Sequence, residues 1–392
     1  MRILFSTNPA LGHVLPLLPL ALAARGAGHD VAVLGGQSVA GIVEGAGLRH
    51  VVGGPPDLPS VFARVPERQG LSGRRLAAAT WAHAFGGVIA EALAGALLDL
   101  AREWRPDLVV HDDSEQGTWI AAERLGIPHV SLQATAWRGA GVRLSAEPLN
   151  RLRTSLGLPP DPALAGWHRH GYLTTRPPAL FNPDDPMPAA TIPVRPIALD
   201  GVGAEMPAWL DGSRAGRARV AVTLGTILPG RLEAMASILD GLARLDVEVV
   251  ATVGPGLDPA ELGPRPAGVR VERYLPMSRL LPTCDALVFH GGSGTMLAAL
   301  ADGLPLVLLP SQADQPENAD RCEAAGVGIA LPPGAQQADD VERAVDAVLS
   351  NPGYRDAAAR VRAEIEGMPG PADVLPALER LAAAGPVATL ID

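Results

Sequence analysis

Apolar positions fall into short runs separated by Gly, Pro and polar residues, and the runs alternate between strand length and helix length. Arg2–Thr7 (RILFST) is a strand-sized run, and Asn8–Gly12 (NPALG) after it has turn chemistry. Val14–Arg25 (VLPLLPLALAAR) is long enough for a helix and is stopped by Gly26 and Gly28. Pro16 and Pro19 fall near its first turn, where backbone N–H groups have no intrahelical partner, so an irregular start is expected. Asp30–Leu34 (DVAVL) reads as the next strand, which makes a βαβ unit at the head of the chain. Leu108–His111, Gly117–Leu125 and His129–Leu132 repeat the strand–helix–strand order.

Between Pro177 and Pro207 the chain is dense in Pro and loses periodicity. Thr191–Ile197 can close the first domain as a strand, and the later part reads as an interdomain connection. The alternation then restarts. Arg219–Leu224, Val247–Val253, Ala286–Phe289 and Leu304–Leu309 read as strands. Arg231–Leu245, Thr295–Ala301, Gln315–Ala325, Val341–Leu349, Tyr354–Met368 and Asp373–Ala384 read as helices. The pattern predicts an α/β protein of two Rossmann-like domains, each a doubly wound parallel sheet, facing across a cleft. The expected boundaries are 1–200, a linker at 201–218, and 219–370, with a C-terminal helix in 371–392 that can pack back on the first domain. Ligands of such sheets bind beyond the carboxyl ends of the strands, so the loops there carry the chemistry.

Composition narrows the chemistry. With 47% apolar and 19% charged residues over 392 positions, the chain is globular rather than disordered. A net charge of −10 argues against a nucleic-acid partner but is silent about a small phosphate-bearing ligand. All 32 basic residues are Arg, which removes Schiff-base, pyridoxal-phosphate and Walker A lysines together. Cys284 and Cys322 lie far apart in no metal spacing, so a reduced, cytoplasmic setting is expected. Asn8, Gly12, His13, Pro16 and Pro19 interrupt the apolar N-terminus, so neither a cleaved signal nor stable membrane insertion is expected there.

Several strand-end loops carry reactive side chains. His13 sits after the first strand and suits a general base near neutral pH, or a solvated or capping loop position. Asp112 and Asp113 follow LVVH; one can orient such a base while the other caps the next helix. His290-Gly291-Gly292-Ser293-Gly294-Thr295, with a strand before and a helix after, has the features of a diphosphate site. Its glycines permit close backbone approach, the helix start presents N–H groups, and Ser293 and Thr295 add hydroxyls. Thr226 offers another hydroxyl at a strand end. The loop Pro310–Asn318 (PSQADQPEN) gathers Asp314, Gln315 and Asn318, side chains suited to sugar hydroxyls or to an ordinary polar helix start. A dinucleotide fingerprint is missing after the first strand, and Thr295 stands where a hydrolase elbow needs Gly.

Together HGGSGT, GLPLVLLP and DQPENA, within Tyr274–Gly328, and NPALGHVLPL at the start resemble family 1 glycosyltransferases of the GT-B fold. The resemblance is to the actinobacterial branch that decorates antibiotics and other natural products, and it spans essentially the whole chain. It implies an inverting transfer from a nucleotide sugar to a hydroxyl of a hydrophobic polyketide or aromatic acceptor. His13 would be the base and Asp112 its partner. His290, Gly292, Ser293, Gly294, Thr295 and Thr226 would hold the diphosphate. Asp314 and Gln315, with Asn318 nearby, would hold the sugar, and Tyr274 would stack on the nucleobase where the family usually has Trp. Ala298 stands where plant UDP-sugar members carry a ribose-binding Glu, which favours a dTDP-sugar over a UDP-sugar. No cofactor is expected, nor a metal, because no D-x-D carboxylate pair is present. Trp81, Phe85 and Trp137 are candidates to line the acceptor site, as is Trp167, and each suits a core position equally. A homodimer is compatible with the sequence. A nucleotide-sugar epimerase of the same fold, or a nucleotide-sugar-binding protein without turnover, is the alternative; His13 and Asp112 speak for transfer.

Overall fold

The computed structural model describes residues 1–71, 73–136, 143–199, 207–211, 216–225, 231–254 and 257–385. Trp137 and Thr226 lie outside them. The chain divides into two compact units: residues 1–176, 181–197 and 368–392, and residues 177–180 and 198–367.

Among the described residues the first unit is built on seven parallel strands: β1 (Arg2–Ser6), β2 (Asp30–Gly35), β3 (Arg49–Val52), β4 (Leu108–Asp112), β5 (His129–Leu132), β6 (Tyr172–Thr174) and β7 (Thr191–Pro193). Their order is β3-β2-β1-β4-β5-β6-β7, so the winding reverses between β1 and β4. In β1, β2, β4 and β5 nearly every residue is buried, as expected of parallel strands covered on both faces. Helices cover the sheet, and their inner stripes join Leu4, Leu34 and Val109 in the core. The helical run Arg75–Leu100 is long and apolar enough to cross a membrane by length and composition. Its inner residues Ile89, Ala90, Leu93, Ala94 and Leu97 are buried in this core.

Among the described residues the second unit repeats the plan with six parallel strands: β8 (Ala218–Thr223), β9 (Val247–Thr252), β10 (Val269–Glu272), β11 (Ala286–Phe289), β12 (Leu306–Leu308) and β13 (Gly328–Ala330). The order β10-β9-β8-β11-β12-β13 places its reversal between β8 and β11. Gly328 is required where β13 meets β12, because a Cβ there would lie 2.2 Å from the Leu306 carbonyl oxygen.

Two details depart from the sequence pattern. The first helix begins only at Leu18, with Pro19 in its first turn, and a separate four-residue turn, Leu11–Val14, carries His13. The pattern also does not single out β3, β6, β10 and β13, all four residues or shorter.

Candidate active site

In a doubly wound sheet the crevice opens where strand order reverses, and in the first unit that point is the carboxyl end of β1 and β4. The pairing Ser6↔His111 sets the register. The loop after β1 therefore runs beside Asp112, the last residue of β4. His13 Nδ1 lies 2.7 Å from Asp112 Oδ2 and 3.0 Å from Ser114 Oγ. The carboxylate assigns the ring proton to Nδ1, so the lone pair able to take a proton is on Nε2. The His13 side chain is 14% exposed and that of Asp112 is fully buried.

Burial pushes the Asp112 carboxyl up, but the His13 ring and the Ser114 donors outweigh it and hold the group below its ordinary range. Asp113 behaves oppositely. Burial and the neighbouring Asp112 charge push it well above that range. It faces away from His13, accepting from Tyr172 Oη at 2.7 Å and from the Ala134 N–H at 3.2 Å. Of the two adjacent acids, Asp112 is the one paired with His13, and neither caps the next helix. That task falls to Glu115, which accepts from the N–H groups of Gly117 and Thr118.

The residues expected on the acceptor side separate. Phe85 lies 6.0 Å from the His13 ring, centroid to centroid, and Trp81 packs on Phe85 at 5.7 Å. Both belong to Thr80–Ile89, a stretch widened to π-helical geometry in which Gly86-Gly87 weakens the ordinary helix preference. Trp167 is instead core: it is buried and stacks on Trp119 at 6.4 Å.

The second unit carries an equivalent opening between β8 and β11. Gly225 (φ +67°) ends the β8 side, and a Cβ on it would meet the His290 ring at 2.8 Å. A Cβ on Gly292 would meet the same ring at 2.5 Å, so the two glycines make the space that His290 occupies. The helix Ser293–Ala301 starts at Gly292 with no side-chain cap, and its first backbone bond is Met296 N–H to the Gly292 carbonyl. The amides of Ser293, Gly294 and Thr295 precede that bond, at the positive end of the helix dipole.

The loop after β12 is tied to this turn. Ala313 takes φ +55°, an uncommon state for alanine. Asp314 follows, and its Oδ2 accepts from Ser293 Oγ at 2.6 Å and from Asn318 Nδ2 at 3.2 Å. Asn318 is fully buried and also donates to the Gly291 carbonyl at 2.7 Å, so it clasps the two loops together. Gln315 Oε1 collects the N–H groups of Ser311 and Gln312 and the Ser311 hydroxyl, which leaves its NH₂ as the end suited to a ligand. Tyr274 follows β10 and is 46% exposed, and Ala298 lies half-buried in the helix Ser293–Ala301.

Family models match both halves of the chain. The erythromycin biosynthesis protein CIII-like N-terminal domain matches residues 22–225, and the C-terminal domain of the same description matches residues 236–381. The chain belongs to the erythromycin biosynthesis protein CIII-like family. Among curated relatives, an L-demethylnoviosyl transferase of Streptomyces niveus is 35% identical, over 95% of this chain and 96% of that protein. The solved glycosyltransferase SnogD from Streptomyces nogalater shares 36% identity at TM-score 0.80, covering 97% of this chain and 99% of its own. Glycosyltransferase VinC, solved in complex with dTDP, superposes at TM-score 0.82 with 25% identity, covering 98% of this chain and 100% of its own. The protein is thus a family 1 natural-product glycosyltransferase of the GT-B fold.

In this CIII-like chain Asn8 and Ser114 also join the site, and the sequence pattern does not mark them. Asn8 stands at the head of the NPALGH motif, and Ser114 follows the two acids, so both were in view. No pattern in one sequence says that they bond to each other and to Asp112.

Proposed function

We propose that the enzyme transfers a sugar from a dTDP-sugar to a hydroxyl of a hydrophobic polyketide or aromatic acceptor, inverting the anomeric carbon and using no metal ion. The observation that carries this is the bond between His13 Nδ1 and fully buried Asp112, which directs the basic Nε2 away from its carboxylate partner. The acceptor hydroxyl gives its proton to Nε2 while its oxygen bonds to the anomeric carbon and the carbon–diphosphate bond breaks. The imidazolium that results is stabilised by Asp112. Phe85 and Trp81, beside His13, offer an aromatic wall to an apolar acceptor.

Charge on the departing diphosphate is met by the N-terminal amides of the helix Ser293–Ala301 and by His290, the role a metal plays in other transferases. Gln315 and Asp314 hold the sugar hydroxyls, and Tyr274 stacks on the base. Ala298 offers nothing to a ribose 2′-hydroxyl, and the related VinC was solved with dTDP, which support the dTDP assignment. A thermal-shift comparison checks it. At about 100 times its Kd a nucleotide adds about 2.7 kcal/mol of stability. At equal concentration dTDP is expected to raise Tm more than UDP; equal or reversed shifts overturn the donor assignment.

A further inference from the structure

Asp112 has no solvent contact, yet both its oxygens are occupied by donors. Oδ2 accepts from His13 Nδ1 at 2.7 Å and from Asn8 Nδ2 at 3.1 Å. Oδ1 accepts from the Ser114 N–H and the Ser114 hydroxyl, each at 2.9 Å. Asn8 Nδ2 also donates to Ser114 Oγ at 2.9 Å, which closes a ring of Asn8, Ser114 and Asp112 behind the imidazole. A carboxylate offers about four lone-pair sites, and here four N–H or O–H groups fill them.

We propose that Asn8 and Ser114 are positioning residues for this transfer: their donors hold the Asp112 carboxylate in place and set the plane of the His13 ring and how tightly it keeps its proton. The inference rests on the reading of His13 as the base. Asn8 is fully buried, and its Oδ1 has no hydrogen-bond partner among the described residues. Turning the amide over would set that oxygen against the carboxylate, so the donating orientation suits an ionised Asp112. Ser114 Oγ, 3.0 Å from His13 Nδ1, gives the ring proton a second acceptor on the same side and holds the ring against rotation.

The other ionisable groups nearby are committed elsewhere. Asp113 faces Tyr172, Glu115 caps the helix Thr118–Leu125, and His111 turns Nδ1 to the Asp112 carbonyl at 3.2 Å and Nε2 to Ser131. Of these groups Asp113 also acts on the Asp112 side chain, through its charge and a side-chain hydrogen bond. When Asn8 or Ser114 is removed, the carboxylate is less satisfied, so the His13–Asp112 pair holds a proton more tightly.

The test needs no substrate. In the full-length protein labelled with ¹³C/¹⁵N-histidine, the His13 ring signal is assigned by its loss in His13→Ala and followed against pH. Asn8→Leu and Ser114→Ala are each expected to raise its midpoint by about one unit, since a hydrogen bond to a charged group is worth about that much. Ser114→Thr, which keeps the hydroxyl, is expected to restore the wild-type midpoint. Thermal shift by dTDP reports that each variant is folded and that its donor site is unaffected. An unmoved midpoint in folded Asn8→Leu and Ser114→Ala overturns this proposal alone. Wild-type turnover by His13→Ala overturns the base assignment, and this proposal falls with it.

Discussion

Replacing His13 with alanine is expected to lower kcat on an alkyl-alcohol acceptor by about 10²–10⁴-fold, the usual worth of general-base catalysis. Nucleotide affinity should hardly change, because the expected diphosphate contacts belong to the other unit, at His290 and Ser293–Thr295. The loss should shrink on an acidic phenol, which gives up its proton with less help. Asp112→Ala should follow the same pattern more mildly, because the carboxylate orients the ring and stabilises its charged form. Steady-state kinetics with both acceptor types decide the matter. Turnover of an alkyl alcohol by His13→Ala at the wild-type rate would make His13 an ordinary loop residue.

His129→Phe is expected to make the protein more acid-resistant. His129 is fully buried on β5, edge-on to His170 at 4.7 Å and 5.5 Å from His111, and neither of its ring nitrogens has a hydrogen-bond partner among the described residues. Burial, with neighbouring His111, His170 and His168, drives its pKa well below the ordinary 6.5. Burial likewise lowers His111 to about 4 and His168 to about 3. Such a histidine is neutral in both states above pH 6.5, whereas below it only the unfolded chain takes the proton. Its contribution is therefore complete above about pH 6.5 and is lost as pH falls toward the folded pKa. Asp113 and Glu115, both raised, work in the opposite sense, becoming less favourable to the fold as pH rises. Comparing the variant with wild type cancels these terms. Relative to its difference at pH 8, the phenylalanine variant should gain about 2 kcal/mol at pH 5 in urea unfolding. Parallel stability–pH curves would mean that His129 takes up its proton in the folded state.

The central strands were legible because parallel strands buried on both faces are continuous apolar runs, as ARVAVT and ALVF are here. The strands that escaped notice are short. VRVE of β10 and RHVV of β3 lie at sheet edges and are mostly half-buried or exposed, so they resemble loops. YLT of β6 and GIA of β13 are three residues each, below the length at which a period can be read. The His13–Asp112 pair was foreseeable because strand ends at a winding reversal converge, but the choice between Asp112 and Asp113 was not. Successive side chains alternate in direction along an extended chain, so one faces His13 and the other Tyr172. Asn318 looked like a sugar ligand from its neighbours in sequence, and its burial against Gly291 shows a bracing role. The left-handed Ala313 gave no warning, since alanine carries no preference for that state.

Single displacement assisted by His13 and by a helix N-terminus is most directly tested by the anomeric configuration of the product. The enzyme is incubated in EDTA with a dTDP-sugar of known configuration and an aromatic polyketide acceptor. The one-bond C1–H1 coupling of the isolated glycoside is then read by NMR. The expected product carries the configuration opposite to the donor and forms together with free dTDP. A glycoside of retained configuration, or one formed only after Mg²⁺ is added, would contradict the account.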